Sequence, residues 1–256
     1  MPDEVNFSAL TWEEIEKAVQ SNTGLIIPVG STEQHGPHLP LMTDAVLANE
    51  LAVAVAQESG VLVAPTVHYG YRSRPLSGGG QTFIGTTSLT GPTFIWMIRD
   101  IVREFLRHGF RRLMVLNWHF ENQNFLYEGI QLALDEARSL NSPPKIVLLE
   151  SPFNTLTSET MDMVFEGQFP GWPTEHAAIF ETSVMLHLHP ELVKWEKVVD
   201  DASERRPWYE ILPIQPDLVA PSGTLWKATL ASQEKGRLIW SEIVPQVREV
   251  IKMEFS

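Results

Sequence analysis

The feature that most constrains this chain is an alternation. Four short apolar runs, "GLIIPV" at 24–29, "GVLVAPTV" at 60–67, "RRLMVLN" at 111–117 and "KIVLLE" at 145–150, are separated by longer stretches with helical spacing of apolar residues. Continuous apolar runs of this length read as strands covered on both faces. Strands alternating with helices predict an α/β fold, a mostly parallel sheet flanked by helices on both faces. The boundaries carry matching signals. Thr11 and Glu14 form a capping-box pattern before a short helix. Thr43 reads as the cap of a helix over 44–57. Pro92 and Gly109 bracket the next helix, and another is expected over 122–140. After residue 150 the pattern loosens. "HAAIFETSVMLHLHPELV" predicts a helix ending near Pro190, 207–221 a Pro-rich surface excursion, and 232–255 a final helix containing Pro245. No repeat, low-complexity tract or linker divides the 256 residues, so a single domain over 1–256 is expected.

Composition narrows the function. Apolar content of 43% and charged content of 20% suit a soluble globular protein of enzyme size. The net charge is −13, and no basic stripe exceeds the pairs Arg111–Arg112 and Arg205–Arg206. No nucleic acid partner is therefore expected. The chain has no cysteine, which excludes disulfides, thiolate metal sites and a Cys nucleophile. No apolar run reaches the ~18 residues of a membrane span. The acidic start, "MPDEVNFSALTWEEIEKA", lacks a signal peptide's pattern, so a cytoplasmic location is expected.

The candidate chemistry sits where strands end. "GSTEQHGPHLPLMTDAV" follows the first strand and carries Glu33, His35 and Asp44. "NWHFEN" follows the third and carries His119 and Glu121. In extended chain, residues two apart share a face, and ligand sites of open α/β sheets lie at the carboxyl ends of strands. Two imidazoles and three carboxylates suit hard or borderline divalent cations. Three acids exceed the need of one catalytic zinc and fit two metal ions, with Asp44 as the natural bridge.

His176, beside Glu175, lies near a helix start and reads as a ligand, a general acid/base or a cap, with Glu175 or Glu181 orienting it. His38, His68, His108, His187 and His189 read as structural. "SGGGQTFIGTTS" lacks the GxxxxGK[ST] phosphate signature. It reads as a loop whose backbone N–H groups and Ser77 hydroxyl meet a small polar ligand. Trp118 and Trp172 stand beside the chemistry and offer an aromatic wall to a planar or cationic ligand.

Five segments, "VGSTEQHGPHLPLMTDAVL", "YGYRSRPLSGGGQTFIGTTSL", "HGFRRLMVLNWHFEN", "EGIQLALDE" and "EHAAIFETSVML", together resemble the creatininase family of metal-dependent amidohydrolases. The resemblance runs from about residue 24 to "GTLWKATLASQEKG" at 223–236. It implies creatininase-like βαβ layers and a binuclear metal centre. Glu33, Asp44 and His119 would hold one ion, manganese or zinc. His35, Asp44 and Glu121 would hold the other, zinc. His176 falls on the family's catalytic histidine, with Glu121 beside it in the reaction. Trp172, Phe120, Ser77 and Gly78 fall on the substrate pocket. The family assembles as a homo-oligomer, commonly a hexamer.

The implied activity is hydrolysis of a small cyclic amide, creatinine to creatine. The runner-up is a lactam or formamide hydrolase acting on a pyrimidine-like substrate. Readings from other classes are a metal-stabilised ligand-binding protein without turnover, and a carboxylate-pair hydrolase whose activity survives a chelator. Phe120 replaces a family Tyr, Pro173 an Asp and Trp118 a Gly, and a pocket tryptophan expected near residue 153 is missing. These departures leave the metal machinery intact and alter the pocket.

Overall fold

In the computed structural model, which describes residues 4–138 and 142–255, the chain runs α1 (Trp12–Gln20), β1 (Leu25–Val29), α2 (Thr43–Ser59), β2 (Leu62–Val63), α3 (Pro75–Gly78), α4 (Gly91–His108), β3 (Arg112–Asn117), α5 (Gln123–Glu136), β4 (Lys145–Leu149), α6 (Ser158–Phe165), α7 (Ile179–Leu188) and α8 (Gln233–Phe255). The strands form one parallel sheet in the order β2–β1–β3–β4. Side chains alternate faces along each strand, and the core divides accordingly. Ile26, Met114 and Leu116 join a cluster with residues of α2, α7 and α8. Leu25, Ile27, Val29, Leu113 and Val115 join another with residues of α1, α4 and α5. The expected α/β architecture with helices on both faces is what forms.

Local signals act as anticipated in several places. The Thr11 backbone N–H donates to Glu14 Oε2 (2.7 Å), completing the capping box of α1. Gly109 closes α4 at φ +106, a conformation that favours glycine. Four expectations need correction. Thr43 is not a cap but the first residue of α2, and its hydroxyl donates to Pro40 O (2.7 Å). The run 60–67 contributes only Leu62–Val63 to the ladder. Pro65 has no N–H to pair, and the chain rejoins the sheet only through a bridge at Val67. The helix expected from 176 starts at Ile179, after Ala177 at φ +52. The Gly-rich segment is not a plain loop: Pro75–Gly78 is a short helix, and Gly78, Gly79 and Gly80 are buried. Residues 139–140 of the helix expected over 122–140 lie outside the described residues, as do residues 1–3, 141 and 256 of the expected domain.

β1 and β3 are neighbours, with Val29 opposite Asn117. Their carboxyl ends therefore release 30–35 and 118–121 side by side. The Trp118 N–H still donates to Val29 O (2.9 Å) as the two segments leave the sheet. The N-terminus of α2 packs so closely on this exit that a Cβ at Gly30 would overlap the backbone of Ala45.

Candidate active site

Asn122 fastens the exit of the two strands. It is fully buried, its Nδ2 donates to Gly30 O and Asn117 Oδ1 (both 3.1 Å), and Tyr71 N–H donates to its Oδ1 (2.8 Å). Asn117 Oδ1 in turn accepts from the His119 N–H (3.2 Å). One amide thus joins the ends of β1 and β3 to the segment leading into α3.

Around this knot the expected pairs converge. Glu33, His35, Asp44, His119 and Glu121 are all 5% exposed or less. His119 Nδ1 lies 2.8 Å from Glu33 Oε2 and 3.2 Å from Asp44 Oδ2. His35 Nε2 lies 3.1 Å from Asp44 Oδ1 and 3.7 Å from Glu181 Oε1. Two groups able to hold a metal ion share Asp44: Glu33–Asp44–His119 and His35–Asp44–Glu181.

The other nitrogen of each imidazole faces a backbone carbonyl. His35 Nδ1 is 3.1 Å from Glu33 O, and His119 Nε2 is 3.0 Å from Tyr71 O. A carbonyl accepts only, so each imidazole carries an N–H there and turns its other nitrogen towards the carboxylates. That is the disposition of a metal-ligating histidine, whose second nitrogen is held by an acceptor. Glu33 Oε1 and Asp44 Oδ2 are buried without hydrogen-bond partners. Imidazole nitrogens and carboxylate oxygens facing one another in a buried space call for positive charge between them, as protons on the rings or as metal, and the residues fit divalent cations.

The electrostatics follow the same logic. Burial pulls His35 down, but the carboxylates of Asp44 and Glu181 outweigh it and hold the imidazole well above its ordinary value. His119 is raised likewise, against burial, by Glu33 and Asp44. Burial would raise Asp44, yet His35 and His119 hold it far below the usual carboxylate range. Glu33 is lowered against burial by His119 and His176. Glu121 moves the opposite way: burial pushes it up, with Glu33 adding, and His119 only partly offsets them. Burial and the Glu181 charge push Glu175 well up. Acids whose environments drive them apart mark division of labour in a site.

Other expected residues fall into place unevenly. Glu121 does not join the His35–Asp44 group. Its Oε1 accepts from Ser77 Oγ (2.5 Å) and Arg74 N–H (3.2 Å), and its Oε2 is 3.5 Å from His119 Nε2. Glu181 occupies the position by His35 instead. Neither Glu175 nor Glu181 orients His176. The Phe180 N–H donates to Glu175 Oε1 and the Ala177 N–H to Glu181 Oε2 (both 2.7 Å). His176 Nε2 lies 2.8 Å from Gln34 O and 3.9 Å from Glu33 Oε1, its ring 4.4 Å from that of His35. The sequence does carry a signal for Glu181: an acid in the first turn of a mostly apolar helix, "IFETSVMLHL", needs a buried partner.

Ser77, Phe120, Trp118, Trp172, Phe153 and Phe180 line the same cleft as the acids and His176. Gly78 borders it, and a Cβ there would overlap Glu33 Oε1. Trp172 packs on Phe153 (4.5 Å between centroids) and edge-on to Phe180 (5.4 Å). His38 is structural, buried with Nε2 2.9 Å from Thr182 Oγ1.

An open parallel sheet that gathers imidazoles and carboxylates at its strand ends, beside a further histidine, defines a metal-dependent α/β hydrolase. A family model described as "Creatininase: Creatinine amidohydrolase" matches residues 8–251. The chain belongs to the creatininase family. It is 40% identical to the creatinine amidohydrolase of Pseudomonas putida over 257 residues, covering 100% of this chain and 99% of the relative. It is 31% identical to the 3-dehydro-scyllo-inosose hydrolase of Thermotoga maritima, covering 92% and 79%. A crystal structure of creatinine amidohydrolase superposes with TM-score 0.95 at 41% identity, covering 99% of both chains. Similar solved structures include a mutant creatininase of Zn–Zn type (TM-score 0.95, 40% identity, 99% of both chains) and a creatininase Mn structure (0.94, 41%, 98% and 99%).

Proposed function

We propose that this protein is an amidohydrolase with two divalent cations that opens a small cyclic amide, creatinine to creatine. One observation carries the reading: two His–carboxylate groups meet on a single buried acid, Asp44, within a cleft that also contains His176. The 40% identity to a creatinine amidohydrolase supports the substrate. Glu33, Asp44 and His119 would hold one ion, and His35, Asp44 and Glu181 the other, zinc with manganese or zinc at the second position. When bound, such ions polarise a carbonyl and make water a nucleophile near neutral pH.

The remaining work falls to side chains. Ser77 and the Arg74 N–H engage Glu121 Oε1 and leave Oε2 to hold a proton, which burial favours. His176 supplies the proton that the departing ring nitrogen needs, a role typically contributing ~10²–10⁴-fold. Trp118, Phe120, Phe153 and Trp172 exclude water and present ring faces to a planar amide. Ser77 and Gly78 border the substrate from the opposite loop.

Phe120 and Phe153 make this wall more apolar than the family pattern and favour a second reading, a lactam or formamide hydrolase acting on a pyrimidine-like ring. We also propose one domain over 1–256 and a cytoplasmic homo-oligomer, a hexamer as in the family. Exposed Trp12, Trp96, Ile84 and Trp208 offer apolar surface for assembly. Among the described residues no helix is long and apolar enough to cross a membrane.

The test is turnover of creatinine and a panel of lactams and formamides by metal-loaded protein, with metal analysis of the same sample. Creatine formation by protein carrying two ions per chain is expected. Glu121→Gln and His176→Ala should each lose most activity. Full activity in either variant removes its assigned role, and full activity in metal-free protein ends the proposal.

A further inference from the structure

Two walls of the cleft rest on very short elements. Ser77 comes from α3, four residues long. Trp172 opens a 3-10 turn of three residues, Trp172–Thr174. The two elements pack against each other. Glycine at positive φ bounds each of them, Gly79 (+75) after α3 and Gly171 (+91) before the turn. A single turn has no ladder of hydrogen bonds to hold it, and its last carbonyls have no partner within it. The Gly78 and Gly80 N–H groups donate to Arg74 O, and the Glu175 N–H donates to Trp172 O. These bonds use neither Leu76 O nor Pro173 O.

One side chain takes both carbonyls. Arg206 Nη2 donates to Leu76 O (2.6 Å) and to Pro173 O (3.2 Å). Leu76 immediately precedes Ser77, and Pro173 immediately follows Trp172. The two hydrogens of one nitrogen thus join the two walls. No acid competes for this guanidinium. Partial withdrawal from water lowers it from its ordinary value, and no carboxylate raises it again. Its charge is directed at the carbonyl ends of two single turns, where a cation is favoured.

The arginine stands on a fixed base. Arg205 Nε donates to Asp217 Oδ2 (2.7 Å), and the Arg205 N–H donates to Asp217 O (3.1 Å). Asp217 belongs to a 3-10 turn, Pro216–Leu218, whose Leu218 is fully buried. Further along, Glu210 Oε1 lies 3.9 Å from Arg74 Nη1, an exposed pair that adds little by itself. The segment 205–218 thus reaches from the protein interior to both walls of the cleft.

We propose that Arg206 is a positioning residue for the substrate: by clasping Leu76 O and Pro173 O it fixes the separation of Ser77 and Trp172, and so sets the size of cyclic amide that the cleft accepts. This rests on the amidohydrolase reading above. With the clasp in place the two walls close on a small planar ring. Without it they part, a small ring loses contact with one of them, and a bulkier ring is admitted. Arg206 bonds neither the acids nor the imidazoles of the cluster. Glu121 keeps its bond from the Arg74 N–H whatever happens at Leu76. Substrate binding and size preference should therefore change more than the chemical step.

The experiment compares zinc-loaded wild type, Arg206→Met and Arg206→Lys. Methionine keeps much of the apolar stem and removes every donor, at a residue that is itself exposed. KM for creatinine should rise about 10-fold in Arg206→Met, the low end of what one ill-fitting pocket contact changes, with kcat altered far less. Its preference for creatinine over an analogue with a bulky N-alkyl group should fall by a similar factor. Arg206→Lys keeps a cation on a shorter stem and should lie between, and it carries the test if Arg206→Met does not fold. Hydrogen exchange of the same samples, read by mass spectrometry, should quicken over 74–80 and 171–176 and stay unchanged over α4. An unchanged KM and size preference overturn the proposal, as does a loss of kcat with KM untouched, or unaltered exchange in both walls. Absence of creatinine turnover in the wild type would remove the functional reading, and the exchange result would then decide the clasp on its own.

Discussion

Replacing Asn122 by alanine should destabilise the protein far more than loss of an ordinary surface amide. The side chain is fully buried and makes three hydrogen bonds. Asn117 Oδ1 keeps its bond from the His119 N–H after truncation. The Tyr71 N–H and the Gly30 carbonyl lose the partner described above. Each buried polar group left unpaired costs about 1–3 kcal/mol, so the pair gives about 4 kcal/mol. For a chain of this size that corresponds to a fall in Tm of roughly 12 °C. The measurement is thermal unfolding by circular dichroism of metal-free wild type and Asn122→Ala, so that altered ion binding does not enter. Creatinine turnover of the metal-loaded variant should fall as well, because His119 and Glu121 sit on the segment Asn122 anchors. A loss below about 1 kcal/mol, the net worth of one ordinary hydrogen bond, would refute the claim that this amide holds the strand exits together.

Three further outcomes are expected. Chelation should abolish activity and lower Tm, because an ion at 100 times its Kd contributes about 2.7 kcal/mol; readdition of zinc should restore both, and an unchanged Tm would count against structural ions. His38, lowered by burial from 6.5 to about 4, stays neutral in the fold while the unfolded chain takes up a proton. Its contribution is therefore intact above pH 6.5 and lost as pH falls towards 4, about 3 kcal/mol in all, so the stability gap between wild type and His38→Gln should narrow over that interval in urea titrations. Gly236→Ala sets a Cβ against the Ser183 carbonyl where α8 crosses α7; backbone cannot swing aside, so a loss of about 1–3 kcal/mol is expected, and unaltered stability would mean the two helices slide freely.

The layered architecture was legible because its signals are local. Apolar runs, the Thr11–Glu14 box and Gly109 each act within a few residues. The strand ends were legible as the place where the acids and imidazoles emerge, but a spacing of two does not give His119 and Glu121 a common face, because Phe120–Asn122 is a 3-10 turn rather than extended chain and Glu121 reaches Ser77 instead. β2 was overestimated because Pro65 interrupts the ladder, an effect that composition of the run disguises. Closeness in sequence makes Glu181 read as a neighbour of His176. In the fold its carboxylate faces His35, on a loop at the other end of the chain. Gln34 gives no signal in the sequence, because an amide carries no charge and its partners, Gly78, His176 and Gly223, share no pattern with it.

The side-by-side exit of β1 and β3 has a consequence for how this lineage can vary. One residue inserted in β3 would turn its core-facing side chains to the opposite layer and carry His119 away from Glu33. The strands are thus frozen in length to the single residue. The surface excursion at 207–221 faces no such arithmetic, and insertions or deletions should accumulate there and in the outer connections while the β1–β3 junction passes unaltered from one homologue to the next.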